Sequence, residues 1–212
     1  MGLDKQAFIL ANTQLKPVEA LPEVLLYQAD EVHDLWHMSE KQLQEKNVSP
    51  PFWAFPWAGG VGLARYILDN PHFVKGKDVI DFAAGSGLVG VAALKAGAKT
   101  VTAYDIDPFS AYAIQLNAKA NQCEIITKTV DIIGTQLQCD LLVAGDIFYD
   151  RVFSQKVTSW FSKLAKIGQT ILVGDPARTY RPNNLHYLTD YEIPVSPLLE
   201  EGTSKTVTIW SF

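Results

Sequence analysis

Cysteine, histidine and basic charge are all scarce in this sequence, and each shortage closes off a class of function. Two cysteines, Cys123 and Cys139, and four scattered histidines are spread over 212 residues, with no C-x-x-C pair. A structural zinc site needs clustered thiolate or imidazole ligands, and a disulfide scaffold needs more cysteines than these. Lysine and arginine total 18 against 23 acidic residues, a net charge of −5. No basic stripe is present to attract nucleic acid. No apolar run reaches the ~18 residues of a membrane span. The first thirty residues carry Asp4, Lys5, Lys16, Glu19 and Glu23 instead of a long apolar core, so no signal peptide is expected. The expected setting is soluble, reducing and cytoplasmic, without membrane or nucleic-acid partners. Repeats and low-complexity tracts are also missing. What is abundant is apolar surface: 48% of residues are hydrophobic, enough to bury a large core.

The most informative stretch is DVIDFAAGSGLVG, residues 78–90. Val79 and Ile80 read as a buried strand closed by Asp81. The small residues Ala83, Ala84, Gly85, Ser86 and Gly87 follow, and then Leu88, Val89, Val91, Ala92 and Leu94 recur at helical spacing. A strand that turns through glycines into a helix lets backbone approach a ligand and aims unpaired helix N–H groups at it.

From this point strands and helices alternate, which predicts a parallel sheet with helices on both faces. Strands are expected over 78–82, 100–105, 124–129, 140–144 and 170–174, and helices over 87–97, 107–121 and 151–166. Asp107-Pro108 is a helix start, and Gly168 a helix stop. The tail differs: 187–195 and 205–210 read as two strands with no room for a crossover helix, so they should pair antiparallel. Residues 1–75 form an N-terminal extension before the core of 76–212. It holds a helix over 30–46, a proline-aromatic stretch and a helix over 59–70.

Gly85-Ser86-Gly87-Leu88-Val89-Gly90 matches the dinucleotide fingerprint G-x-G-x-x-G, and Asp105 follows Gly85 by 20 residues, where a ribose-binding acid belongs. A dinucleotide nevertheless fits poorly. Asp81 stands where a pyrophosphate would meet negative charge, the chain ends in an antiparallel pair, and no residues remain for a substrate domain. A zwitterionic, unphosphorylated cofactor fits better: S-adenosylmethionine (SAM), its ammonium near Asp81 and its ribose diol on Asp105. Asp131, after the third strand, is either an acceptor for the adenine amino group or a surface turn. In open α/β sheets ligands bind beyond the carboxyl ends of the strands. Gly145, Asp146 and Tyr149, after the fourth strand, therefore face the reactive end of the cofactor. Asp150 caps the next helix, and 174–178 forms either the substrate rim or a charged loop end. In PPFWAFPWAGG, residues 50–60, Trp57 is expected at the cofactor, and Phe52 and Phe55 in the core.

DVIDFAAGSGLVG, YDIDP and CDLLVAGDIFYD together resemble the seven-strand SAM-dependent methyltransferases. Within these the chain is similar to the electron transfer flavoprotein β-subunit lysine methyltransferases and to bacterial relatives labelled nicotinamide N-methylase-like. LPEVLLYQADEVHDLW, PPFWAFPWAGG, ARYILDNP, LVGDPARTYRP and YEIPV with KTVTIW extend the likeness over nearly the whole chain. The resemblance implies a Rossmann-like mixed sheet of order 3-2-1-4-5-7-6 with strand seven antiparallel. It places the family's D-x-x-Y motif on Asp146 and Tyr149, its SAM-contacting tryptophan on Trp57, and its cofactor glycines on Gly85 and Gly87. Ala83 departs from the pattern where the glycine run begins; a negative φ there would accommodate its methyl group. The implied activity is methylation of a protein lysine, with the electron transfer flavoprotein β subunit as a candidate substrate. Other classes left open are N-methylation of a small nicotinamide-like acceptor and a non-catalytic SAM- or dinucleotide-binding protein.

Overall fold

The structure is a computed structural model that describes residues 4–29, 50–197 and 199–212. The helix expected over 30–46 lies outside the described residues. A seven-stranded sheet forms from β3 (Asp78–Phe82), β4 (Thr100–Asp105), β5 (Ile126–Thr129), β6 (Leu141–Gly145), β7 (Thr170–Asp175), β8 (His186–Pro194) and β9 (Ser204–Ser211). Its order is β5-β4-β3-β6-β7-β9-β8. The pairs from β5 through β7 are parallel, and β9 runs antiparallel to both β7 and β8. This is the expected 3-2-1-4-5-7-6 sheet.

Alternation along the strands divides the core. Val79, Val101, Leu141, Val143 and Leu172 turn to the face covered by α2 (Ala58–Asp69), α3 (Leu88–Lys95) and α4 (Pro108–Ala120). Ile80, Phe82, Leu142, Ala144 and Val173 turn to the other face, under α5 (Arg151–Lys166). That helix buries Val157, Trp160, Phe161 and Leu164, one stripe at helical spacing. Asp150 caps it by accepting from the Phe153 N–H at 2.8 Å. Asp107 caps α4 the same way, with Pro108 in the first turn.

The N-terminal segment contains structure that the sequence reading did not anticipate. Helix α1 (Lys5–Asn12) is followed by the hairpin β1 (Gln14–Val18) and β2 (Leu21–Gln28). Val24 and Leu26 enter the same core as α2 and α3. Two asparagines, Asn117 in α4 and Asn121 at its C-terminal cap, hold the hairpin. Asn121 Oδ1 accepts from Leu25 N at 3.0 Å, and Asn117 Oδ1 accepts from Tyr27 N at 2.7 Å. Asn117 is fully buried and also donates to the Ser86 carbonyl at 2.8 Å, so one side chain links the hairpin to the glycine loop. Among the described residues no helix is long and apolar enough to cross a membrane. No His/Cys/Asp/Glu group among them is arranged for a metal ion.

Candidate functional site

The loop 83–87 crosses the carboxyl ends of β3 and β4. Ala84 N donates to the Tyr104 carbonyl at 3.1 Å and Gly87 N to the Ala84 carbonyl at 2.7 Å. Gly87 starts α3 at φ 76° and packs on Ile114. Ala83 corrects the sequence expectation: its φ is +53°, not negative. Those loop hydrogen bonds hold an L-residue in the left-handed region, where its Cβ is strained. A β-carbon on Gly85 would meet only the Phe52 carbonyl, at 3.9 Å, so that side of the loop is open.

Asp105 reaches this open side. Its Oδ2 accepts from Gly85 N at 2.8 Å and its Oδ1 from Asp107 N at 2.9 Å. A carboxylate has about four acceptor sites, so about two remain. The next residue, Ile106, is 73% exposed, a large apolar side chain left beside the loop. Asp131 is exposed and accepts from Ile133 N at 2.9 Å, a turn of its own. Asp81 lies beneath the loop. It is buried, and its Oδ2 accepts from Gly90 N at 2.8 Å inside α3. Burial pushes its carboxyl up to about 8, against the lowering effect of that hydrogen bond.

The proline-aromatic segment runs from this loop to the end of β6. Trp53 is core, stacked on Phe109 at 5.8 Å, and Phe55 is buried as expected. Phe52 is not. It is 45% exposed, with its ring 5.9 Å from both Trp57 and Tyr149. Trp57 begins α2 and donates its Nε1–H to the Phe52 carbonyl at 2.9 Å. Phe52 thus joins the loop, Trp57 and Tyr149 into one aromatic wall. Partial burial, then the charges of Asp105 and Asp150, push the Tyr149 phenol up.

Asp146 occupies the left-handed region at φ +57°. Its Oδ2 accepts from Gly59 N and, at 3.3 Å, from Gly60 N. Its Oδ1 accepts from Arg178 Nε at 2.8 Å and faces Arg178 Nη2 at 2.6 Å. All four acceptor sites are in use. The expected open face toward a substrate is therefore absent in this arrangement: Asp146 ties the N-terminus of α2 to the loop after β7. Burial raises its pKa, and Arg178 works against that. Arg178 Nη2 also lies 3.2 Å from Glu200 Oε2, while Glu200 Oε1 accepts from Ala58 N at 3.2 Å. Asp175 is fully buried and takes Arg178 N at 3.2 Å and Arg181 Nε at 3.4 Å. Burial, then Asp146, raises its carboxyl to about 6. Gly145 is partly exposed and packs closely on Gly60 of α2.

Sequence reasoning missed Phe52 as a wall residue and Glu200 altogether. The PPFW tetrad carried a signal for Phe52, since only one of two adjacent aromatics can face the same core. Glu200 carried none.

Residues 66–173 match the model of the ribosomal protein L11 methyltransferase (PrmA) family. The electron transfer flavoprotein beta subunit lysine methyltransferase of Rattus norvegicus is 33% identical, covering 100% of this chain and 86% of that protein. Its Homo sapiens counterpart is 33% identical, over 98% of this chain and 81% of that protein. A putative RNA methyltransferase from Pyrococcus horikoshii shares the fold at a TM-score of 0.54 and 15% identity, over 100% of this chain and 96% of that one. Magnesium protoporphyrin IX methyltransferase from Synechocystis PCC 6803, solved with bound SAM, has a TM-score of 0.50 at 16% identity, over 70% of this chain and 76% of that one.

Proposed function

Because the chain belongs to the family of electron transfer flavoprotein β-subunit lysine methyltransferases, we propose that it methylates a lysine side chain of a protein from SAM. The substrate in the first instance is the electron transfer flavoprotein β subunit, which its relatives' names specify. The observation that carries the cofactor assignment is Asp105, a carboxylate with about two acceptor sites left, opposite the open side of Gly85. That arrangement suits a ribose diol. Exposed Ile106 offers apolar cover to an adenine, and the open flank of the 83–87 loop admits the remainder. The residues therefore fit SAM, which when bound supplies an electrophilic methyl group on a sulfonium.

The chain's own residues provide the acceptor side. A lysine amine has a pKa near ~10.4, so presenting it neutral at pH 7 costs roughly 4–5 kcal/mol. The wall of Phe52, Trp57 and Tyr149 lowers that cost by excluding water around the ammonium. Holding the amine in line with the methyl group accounts for most of the remaining acceleration. Asp131, exposed just beyond β5, is the acceptor we assign to the adenine amino group.

Incubation of purified electron transfer flavoprotein β subunit with this protein and SAM, followed by intact-mass analysis, tests the reading. The expected result is mass added in steps of one methyl group on lysine. Methyl transfer confined to the small-molecule fraction of a lysate would overturn it.

A further inference from the structure

Resting on that reading, the geometry points to Arg178 as a gate with two berths, Asp146 and Glu200, that must leave Asp146 for the acceptor lysine to be received there. Three observations carry this. Asp146 stands at the carboxyl end of β6, beside the aromatic wall, yet its four acceptor sites are taken by Gly59 N, Gly60 N and two nitrogens of Arg178. Of these partners only Arg178 is a side chain that can move without unwinding α2. The same Nη2 that lies 2.6 Å from Asp146 lies 3.2 Å from Glu200 Oε2. Among the described residues that oxygen is buried and makes no hydrogen bond beyond this ion-pair contact, although Glu200 is itself 8% exposed. A buried carboxylate oxygen whose contact is this one ion pair leaves acceptor capacity unused, and a guanidinium moved fully onto it would fill that capacity.

The two berths differ in which group they release. On Asp146 the guanidinium occupies the position that a cationic amine would seek. On Glu200 it completes an unsatisfied carboxylate and frees Asp146 Oδ1. Among the described residues, Glu200 also lines a pocket of about 260 Å³ with Val18, Gln28, Trp57, Val61 and Ser196. Arg178 is 26% exposed at its side chain, which permits the shift. Burial alone would lower its pKa, but Asp146, Glu200 and Asp175 outweigh this and keep it charged. The lysine docks as its ammonium in exchange for the guanidinium at Asp146, cation for cation, with no buried acid left bare, and it attacks only after releasing that proton to solvent as a neutral amine. Arg178 is a positioning residue in this scheme: it acts on the substrate through Asp146.

The test is a double-mutant cycle with Glu200→Gln and Arg178→Met. Glu200→Gln keeps the Oε1 acceptor for Ala58 N but removes the second berth, so Arg178 stays on Asp146. It should raise KM for the protein substrate at least tenfold, with kcat and SAM affinity by calorimetry little changed. Adding Arg178→Met removes the gate itself and should bring KM back toward the wild-type value. A purely structural network gives the opposite sign, the double variant being worse than either single one. Binding of the substrate protein without SAM, measured by calorimetry, should show the same loss and recovery. If Arg178→Met lowers the melting temperature into the assay range, Arg178→Gln supplies the cycle. Additive or worsening effects in the double variant overturn the gate. Absence of protein methylation by the wild-type enzyme would overturn the underlying functional reading instead.

Discussion

Gly145 and Gly60 meet so closely that a β-carbon on Gly145 would lie 2.6 Å from the Gly60 Cα. The contact seats the N-terminus of α2 on the end of β6 and so brings Gly59 and Gly60 N–H to Asp146. The reciprocal position is not crowded: a β-carbon on Gly60 points elsewhere and meets Leu88 at 3.8 Å. Gly145→Ala should therefore destabilise by about 1–3 kcal/mol through overpacking. Gly60→Ala should stabilise by about 0.5–1 kcal/mol as a glycine-to-alanine change within a helix. Denaturant midpoints of both variants check the sign of each.

Ala83 holds φ +53° where a glycine would be unstrained. The left-handed conformation costs an L-residue roughly 1–2 kcal/mol, and glycine's greater freedom in the unfolded chain offsets part of the relief. Ala83→Gly is expected to raise stability by about 0.5–1 kcal/mol, read as a higher melting temperature.

Asp105 joins Gly85 N and Asp107 N, and its remaining acceptor sites are assigned to the ribose. Asp105→Ala should weaken SAM binding about tenfold or more, since hydrogen bonds to a charged group contribute roughly 1.5–3 kcal/mol. Calorimetric titration with SAM checks this; an unchanged Kd refutes the ribose assignment.

Asp146→Asn puts an amide where every neighbour is a donor: Gly59 N, Gly60 N and Arg178. It also leaves Arg178 without its nearest countercharge. Breaking a buried pair in this way costs about 3–5 kcal/mol. The variant should lose stability as well as activity. By contrast Asp150→Ala, which removes only the cap of α5, should cost about 1 kcal/mol. Comparable unfolding free energies for the two would show that the Asp146 network is weak.

Asp81 gives a pH signature. Its carboxyl is raised by burial to about 8 in the folded protein, from an ordinary aspartate value of 3.8. Between these values the folded state holds a proton that the unfolded state has lost. Stability therefore falls as pH rises from about 4 to 8. Asp81→Asn, which cannot titrate, should flatten that decline. Chemical denaturation across this pH range measures it, and identical slopes in both proteins would count against a neutral Asp81.

Much of this protein was legible in sequence because the controlling interactions are local. Alternating apolar residues, the Asp107-Pro108 start, the Asp150 cap and the Gly168 stop mark elements through contacts within a few residues. The two crossover-free strands at the end dictated antiparallel pairing, and the distance from Gly85 to Asp105 placed the acid beside the loop. The hairpin of β1 and β2 was not legible, since its backbone groups depend on Asn117 and Asn121 some 90 residues away. The positive φ of Ala83 is imposed by a loop anchored on Tyr104, which no preference of alanine encodes. Sequence alone placed Asp105 and Asp146 at the carboxyl ends of two strands of one sheet, the first for the ribose and the second for the reactive end of the cofactor, both as acids open to a ligand. Only the tertiary structure separated them. Asp105 meets two backbone donors and keeps acceptor capacity, whereas α2 and Arg178 converge on Asp146 and use all of it, because a carboxylate's vacancy is set by the neighbours that folding brings to it.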